Sequence, residues 1–207
     1  MRSRFYDDVD HIVMFKEVSA AEPAASGAVR VEEGGRHHLP LLAEFNRRQR
    51  STWRTRRFAT GLAHGKRALL GFRDEELIGY FWWHEAGQAA NGVDVSDFGL
   101  ELAEDEVFGY DLFVASEHRG RGVPAAFLAG VERALARLGY RRMFGLVDGS
   151  NVPARWLYAT SGYEVVTRRR ATRILRRLIL VEGEGWLMSG SEGPRPLPWI
   201  PSFGRRA

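Results

Sequence analysis

The residues whose types and spacing could do chemistry lie together in one short segment, Glu117 to Ala125, which reads EHRGRGVPA. Glycines let a backbone approach a bound group closely, and the first turn of a helix offers unpaired N–H donors at the positive end of the helix dipole. Arg119 and Arg121 add forked, permanently charged donors that suit phosphate oxygens. The segment therefore predicts a binding site for a diphosphate group.

Three classes of phosphate-binding loop compete for this segment. A Walker loop needs Gly-Lys followed by Ser or Thr, and the only Gly-Lys pair, residues 65–66, is followed by arginine, which excludes that class. Residues 120–125 satisfy the dinucleotide pattern G-x-G-x-x-A, but the acid which that site needs on the next strand is absent from residues 139–147. The third class requires further motifs elsewhere in the chain.

Those further motifs resemble the Gcn5-related N-acetyltransferases, the GNAT family. Residues 119–124 (RGRGVP) are similar to the family's Arg/Gln-x-x-Gly-x-Gly/Ala signature, and DLFV at 111–114 matches the strand that enters that loop. Residues 151–163 resemble the later motif, in which Asn, a small residue and Tyr precede Gly-Phe or Gly-Tyr. LIGY at 77–80 is similar to the family's central strand. The resemblance covers roughly residues 28–181.

The resemblance implies direct transfer of an acetyl group from acetyl-CoA to an amine, without a covalent enzyme intermediate. Pro124 departs from the signature because it has no N–H to offer a phosphate, so we expect the amides of Ala125 and Ala126 to remain free as donors. The positions that match the family's contacts to CoA are Leu112, Phe113, Val114, Arg119, Gly120, Arg121, Gly122, Val123, Pro124, Ala125, Asn151 and Ala154.

Two residues are the main candidates for proton transfer. Tyr158 matches the residue that protonates the departing CoA sulfur, and a phenol with a pKa of about 10 is a suitable donor to a thiolate whose conjugate acid has a pKa of about 8.5. A core tyrosine on a short helix is the alternative. Asp111 is the first candidate for general base or ammonium anchor, with Glu106 and Glu104 acting through water, although a structural ion pair with arginine suits Asp111 equally well.

Substrate contacts are expected from the segments that resemble the family least. Tyr110 stands where some relatives carry an acid, and Trp82 and Trp83 end a strand beside residues 85–106, which hold seven acids and no Lys or Arg. Strand alternation places the two tryptophans on opposite faces, so only one face can line a cleft. Aromatic rings beside acids suit a cationic amine. We expect a small amine, an amino sugar or a peptide amine rather than a protein lysine.

Composition excludes several other classes. The chain has 207 residues, of which 44% are hydrophobic and 27% charged, as in one globular domain. It has no cysteine, which excludes disulfides and cysteine-ligated zinc, and it has no HExxH pattern, so no metal site is expected. Residues 168–177 include six arginines, but a strand would point alternate ones to opposite faces, which disfavours nucleic-acid binding. Without a long apolar stretch or a signal segment, we expect a cytoplasmic protein that binds no membrane.

The element pattern predicts how these residues are positioned. Residues 107–147 read as strand, turn, helix, strand, which is a parallel βαβ unit, whereas the strands before it, 67–72 and 77–84, suit antiparallel pairing. The expected fold is therefore α/β, a GNAT-like mixed, mostly antiparallel sheet with a central parallel βαβ unit and helices on both faces. Further predicted elements are helices at 39–48, 51–63, 124–138 and 153–160 and strands at 11–18, 28–32, 163–170 and 173–181.

Three domain segments are expected: an N-terminal extension with an extra strand at 1–27, an acetyltransferase domain at 28–181 and a C-terminal tail at 182–207. The extra strand suits either a sheet edge or a contact in a homodimer. The alternative function is a non-catalytic acyl-CoA-binding or sensing module that keeps the loop, because Pro124 and Tyr110 both depart from the family pattern.

Overall fold

The computed structural model describes residues 6–20, 29–87, 100–174, 177–182, 186–188 and 194–196. Four helices are present in this part of the chain: α1 Leu39–Arg48, α2 Trp53–Ala63, α3 Val123–Arg137 and α4 Val152–Thr160. The strands are β1 Tyr6–Glu17, β2 Arg30–Glu33, β3 Arg67–Arg73, β4 Glu76–Glu85, β5 Glu106–Val114, β6 Arg142–Asp148, β7 Glu164–Ile174, β8 Arg177–Glu182, β9 Trp186–Met188 and β10 Pro194–Pro196.

The chain divides into two units. Unit 1 contains residues 1–16, 86–104 and 144–207, and unit 2 contains residues 17–85 and 105–143. Each unit includes segments that are distant in sequence. The boundaries of the units therefore follow packing rather than chain order. The N-terminal strand and the segment that contains Tyr158 both belong to unit 1.

Unit 2 is an antiparallel sheet with helices on both faces. Its strands pair in the order β2, β3, β4, β5. On one face, α1 and α2 cover a core formed by Leu42, Phe45, Phe58, Ala68, Leu70, Phe72, Leu77, Tyr80, Trp82 and Ala115. On the other face α3 packs so closely that a Cβ on Gly71 would lie 2.6 Å from the ring of Phe127. Burial of each large apolar side chain contributes about 1.5–3 kcal/mol.

Strands β5 and β6 form the predicted parallel pair. The backbone N–H groups of Arg141 and Arg142 both donate to the carbonyl of Asp105, at 2.8 and 3.3 Å, so the two strands begin at the same end. Helix α3 joins them, as a βαβ crossover requires. With the antiparallel pairs of the other strands, this arrangement confirms the expected mixed, mostly antiparallel α/β fold.

Unit 1 is built around the N-terminal strand. Strand β1 lies between β6 and β7 and pairs antiparallel with β7 from Tyr6 opposite Ile174 to Phe15 opposite Glu164. Val13 is completely buried, so β1 contributes to the core of this unit. The long register with β1 also explains why β7 continues to Ile174, four residues beyond the predicted end of that strand.

The C-terminal region, for which the sequence predicted a tail at 182–207 without further elements, contains two short strands. Strands β9 and β10 pair antiparallel there, from Pro194 opposite Met188 to Pro196 opposite Trp186. Strands of three residues are too short to give a periodic signal, and β10 also contains two prolines, which is why the sequence did not predict them. No helix in the described ranges is long and apolar enough to span a membrane.

Candidate functional site

The candidate phosphate loop joins the end of β5 to the start of α3 in unit 2. It begins with a short 3-10 helix, Ser116–His118. Nε of Arg119 donates to the carbonyl of Val114 at 2.8 Å, and its guanidinium lies 5.5 Å from the ring centroid of Phe113. The side chain of Gln49, after α1, donates to Glu117 at 2.8 Å. Hydrogen bonds therefore connect the loop both to the strand before it and to the residue that caps the end of α1.

The backbone at the tip of this loop is left-handed at two successive residues. Arg121 has φ 48° and Gly122 has φ 76°, and Gly122 is the N-cap of α3 without a side-chain capping bond. The tip uses two of its amides internally, since Val123 donates to the Gly120 carbonyl at 3.0 Å and Ala126 donates to the Gly122 carbonyl at 2.9 Å. The expectation that the amide of Ala126 is free was therefore wrong, because the helix begins one residue earlier than predicted.

Other amides of the tip are available. Among the residues that the structure describes, the N–H groups of Gly120, Arg121, Gly122 and Ala125 have no hydrogen-bond acceptor. These four residues are exposed, and a Cβ built on Gly120 or Gly122 meets no heavy atom within 4 Å. The donors stand at the positive end of a 15-residue helix beside the exposed Arg121 side chain. The loop thus fits the chemistry of a diphosphate group.

A β-bulge shapes the middle of β5. Trp82 pairs with Asp111 and Trp83 with Gly109, which leaves Tyr110 without a partner in the ladder. Such a bulge redirects side chains. Tyr110 packs against the core that α1 and α2 cover, and Asp111 reaches toward arginines of α2, so both side chains point to the same face.

Burial sets the electrostatics of Asp111. Its side chain is 22% exposed, and Nη1 of Arg54 and Nη1 of Arg57 each lie 3.9 Å from one of its oxygens. Burial raises the pKa of Asp111, while the two guanidinium groups oppose that rise. Burial also raises the pKa of Tyr110, and it raises that of Tyr80 to about 12, so both phenols keep their protons at neutral pH.

Glu106 lies far from this group. It begins β5, five residues before Asp111, which corresponds to roughly 15 Å along an extended strand. Its side chain is completely buried and forms an ion pair of 2.9 Å with Arg142. The structure therefore does not bring Glu106 and Asp111 together.

The two tryptophans point to opposite faces of β4, as strand alternation predicts, but both faces are covered. Trp82 is 3% exposed, and its ring centroid lies 4.3 Å from that of Phe58 on α2. Trp83 is 0% exposed and stacks with Phe81. Among the described residues, Arg57 presents an exposed side chain next to Asp111, of which 49% is accessible.

Sequence reasoning missed the basic residues around Asp111. Arg54 and Arg57 come from α2, and the ammonium of Lys66, just after that helix, lies 5.8 Å from the ring centroid of Tyr110. All three are more than 40 residues from Asp111 in the sequence, and no motif connects them. Only the packing of α2 against β4 and β5 reveals the cluster.

The later motif forms a local structural group in unit 1. The Asn151 side chain caps α4 by accepting a hydrogen bond of 3.1 Å from the amide of Ala154. Two turns later, Tyr158 is 6% exposed and its ring meets that of Tyr163 edge to face at 4.8 Å. Gly145 lies alongside, since a Cβ there would be 3.5 Å from the Tyr158 ring. In this motif the Asn and Ala positions therefore form the N-terminal cap of α4. The Tyr of the Gly-Tyr pair packs against the Tyr158 ring.

The described ranges contain no group of three or more histidine and acidic side chains arranged to hold a metal ion.

Comparison with known proteins identifies the family. A model of the acetyltransferase (GNAT) family matches residues 37–163, more than half of the chain. No curated protein matches significantly. A solved GNAT-family acetyltransferase from Colwellia psychrerythraea superposes with a TM-score of 0.55 at 13% identity, over 82% of this chain and 56% of that one. A GCN5-related N-acetyltransferase from Sphaerobacter thermophilus gives 0.52 at 20% identity, over 84% and 55%.

A third solved structure, the GCN5-related glucosamine N-acetyltransferase region of a fungal multi-domain β-N-acetylglucosaminidase, gives a TM-score of 0.58 at 14% identity, over 80% of this chain and 21% of that one. The chain thus spans little more than half of the two bacterial structures and a fifth of the fungal one. At these identities the structural likeness shows the fold, and the family model carries the assignment, which agrees with the resemblance in the sequence. The chain belongs to the GNAT family of acetyltransferases.

Proposed function

We propose that this protein binds acetyl-CoA and transfers the acetyl group directly to a primary amine of a small molecule, an amino sugar or a peptide. The observation that carries the proposal is the exposed loop tip at the start of α3, with four amides that have no acceptor in the described part of the chain. GNAT proteins generally use acetyl-CoA, whose diphosphate matches these donors in charge and hydrogen bonding.

In this proposal the loop holds the CoA diphosphate through the amides of Gly120, Arg121, Gly122 and Ala125 and the side chain of Arg121. Arg119 keeps the loop on β5 through its bond to Val114. The backbone of Leu112, Phe113 and Val114 pairs with the pantetheine arm. Bound acetyl-CoA supplies the acetyl group as a thioester.

Asp111 is proposed to hold the acceptor ammonium and to accept its proton. A raised pKa suits this role because it brings the proton affinity of the carboxylate closer to that of the amine. The bulge in β5 turns Asp111 toward α2 together with Tyr110, whose protonated phenol can donate to the acceptor. Glu106 takes no part in this proposed step because its carboxylate forms an ion pair with Arg142.

Tyr158 is proposed to donate a proton to the CoA sulfur as the thioester breaks. Its support is the motif from Asn151 to Tyr163, in which the cap of α4 and the ring of Tyr163 fix the phenol. A phenol is protonated at neutral pH and can transfer its proton to a thiolate.

The experiment that tests the proposal is a calorimetric titration of the protein with acetyl-CoA, followed by a thiol-release assay against a panel of primary amines. We expect saturable binding and amine-dependent release of CoA. Binding without release for any amine would favour the non-catalytic acyl-CoA module, and absence of binding would reject both functions.

A further inference from the structure

Three cations lie close to Asp111, the proposed acceptor carboxylate, or to its neighbour Tyr110. Arg54 and Arg57 each place Nη1 3.9 Å from Asp111, and the ammonium of Lys66 lies 5.8 Å from the ring centroid of the adjacent Tyr110. With one carboxylate against three cations, this cluster has a formal charge of +2 when all four groups are ionised. A site that binds only the ammonium of a substrate would not need this excess.

The three cations differ in how many contacts their side chains make with other residues. Arg54 donates to the hydroxyl of Tyr80 and lies 4.4 Å from the ring centroid of Phe113, so other groups hold it in place. By contrast, the side chains of Arg57 and Lys66 donate no hydrogen bond to a described residue, and the distance of 3.9 Å between Arg57 and Asp111 is too long for one. Arg57 and Lys66 therefore keep donors available for a ligand.

The side-chain charges of Arg57 and Lys66 also repel each other. Burial lowers the pKa of Lys66, and the charge of Arg57 lowers it further, so the two groups interact in the free protein. An anion placed between them would offset this repulsion and would accept charge-assisted hydrogen bonds from both. The half-exposed side chain of Arg57 leaves the position accessible.

We infer that the acceptor carries an anionic group, a carboxylate or a phosphate, close to its amine, and that Arg57 and Lys66 bind this anion while Asp111 holds the ammonium. The inference rests on the proposed function and narrows its substrate class. It also adds to the expectation drawn from the sequence, in which acids and aromatic rings suggested a cationic amine and no anionic group was considered. The short distances within the cluster require a small acceptor whose two charges lie a few bonds apart.

The first test compares acceptors that differ only in the anion. β-Alanine is paired with β-alaninamide, and 2-aminoethyl phosphate with ethanolamine, in the thiol-release assay. We expect kcat/KM to be about tenfold or more higher for the member that carries the anionic group in at least one pair, as for other charge-assisted contacts. The pair with the larger preference identifies the anion as carboxylate or phosphate. Equal or better use of both amines that lack the anionic group would overturn the inference and leave the proposed function intact.

The second test assigns the preference to residues. Arg57→Ala and Lys66→Ala should each reduce the ratio of kcat/KM between acceptors with and without the anionic group several-fold, mainly through KM, and Lys66→Arg should restore part of it. Arg56→Ala, an exposed arginine of the same helix, is the matched control and should keep the ratio of the wild type. An unchanged ratio in both cluster variants would contradict the assignment.

A binding measurement decides the inference even if no amine is acetylated. N-acetyl-β-alanine and N-acetyl-β-alaninamide are titrated calorimetrically into the protein saturated with CoA. The same titrations are done with the N-acetyl derivatives of 2-aminoethyl phosphate and ethanolamine. We expect the anionic member of one pair to bind about tenfold tighter or better, and Arg57→Ala to remove most of that difference. Equal affinities within both pairs would refute the anion site, whereas a lack of turnover would count only against the transferase proposal.

Discussion

The carboxylate of Asp111 combines a proposed role in proton transfer with an environment that disfavours its charge. Burial disfavours its charged form, and the arginines of α2 compensate only in part, since the pKa remains raised. Such a carboxylate binds a proton more readily than an exposed one, which suits a group that must take a proton from an amine. The same property makes the stability of the protein depend on pH.

We predict that Asp111→Asn gains stability relative to the wild type as pH rises. The pKa of Asp111 is higher in the folded state than the reference value of 3.8. At pH values between the reference pKa and the folded-state pKa, the folded state binds more protons than the unfolded state. The protein therefore loses stability as pH rises through this interval. Asn does not titrate. Urea unfolding at pH 3 and pH 7 should therefore show a larger free-energy difference, variant minus wild type, at pH 7.

Asp74→Asn serves as the control for that measurement, since 95% of the Asp74 side chain is exposed. If the difference between the Asp111 variant and the wild type were the same at both pH values, or smaller at pH 7, burial would not govern the titration of this carboxylate.

At the same scale, Tyr158→Phe separates catalysis from binding. Removal of a general acid costs about 10²–10⁴-fold in rate, so kcat should fall by about 10²-fold or more while acetyl-CoA affinity stays within about twofold. Tyr163→Phe is the matched control, because its ring packs against Tyr158 and it should retain activity. Full activity in Tyr158→Phe would remove this phenol from the mechanism.

At the scale of secondary structure, helix α4 depends on its N-cap residue, Asn151. The Asn151 side chain satisfies the amide of Ala154, and loss of such a cap costs about 1 kcal/mol. We therefore predict that Asn151→Ala lowers the free energy of unfolding by about that amount in urea titrations, and that Asn151→Asp, which keeps the acceptor oxygen, restores most of it. Equal stabilities of the alanine and aspartate variants would show that the cap does not stabilise α4.

Elements with local signals were predictable from the sequence. Helix α1 has the predicted bounds, and α3 differs by one residue at each end, because apolar spacing together with proline and glycine marks a helix locally. The loop between β5 and α3 was located in the same way. The end of β7 was missed because it is set by pairing with β1, more than 150 residues away in sequence.

The candidate acceptor cluster was predictable only in part. Asp111 and Tyr110 were identified from their place before the loop, but the bulge that turns both toward α2 depends on pairing between β4 and β5. Arg57 and Lys66 lie on no motif, and their relation to Asp111 arises from tertiary packing alone. The tryptophans were assigned to the substrate because alternation predicts faces correctly but does not predict which faces are covered.

At the scale of the whole molecule, the N-terminal strand is a structural requirement of unit 1. Val13 is 0% exposed in a strand that lies between β6 and β7. A charge at a buried position of this kind costs several kcal/mol, a large fraction of the stability of a typical domain. We predict that Val13→Asp abolishes the cooperative thermal transition.

Asp10→Ala, at an exposed position of the same strand, should shift the midpoint of that transition only slightly. A cooperative transition in Val13→Asp close to that of the wild type would mean that β1 is dispensable.

The central claim is that the tip of the loop before α3 binds the diphosphate of CoA. Gly122→Ala tests it, since alanine at φ 76° costs about 1–2 kcal/mol and favours a rearranged tip, while Gly65→Ala is a matched control with φ 71° and open space around it. Both variants should lose similar stability.

The decisive measurement is therefore a calorimetric titration of acetyl-CoA into the wild type and these two glycine variants at a temperature where all three are folded. We predict binding to the wild type and to Gly65→Ala with similar affinity, and binding at least about tenfold weaker to Gly122→Ala. Equal affinity in all three proteins, or no binding to the wild type, would contradict the account.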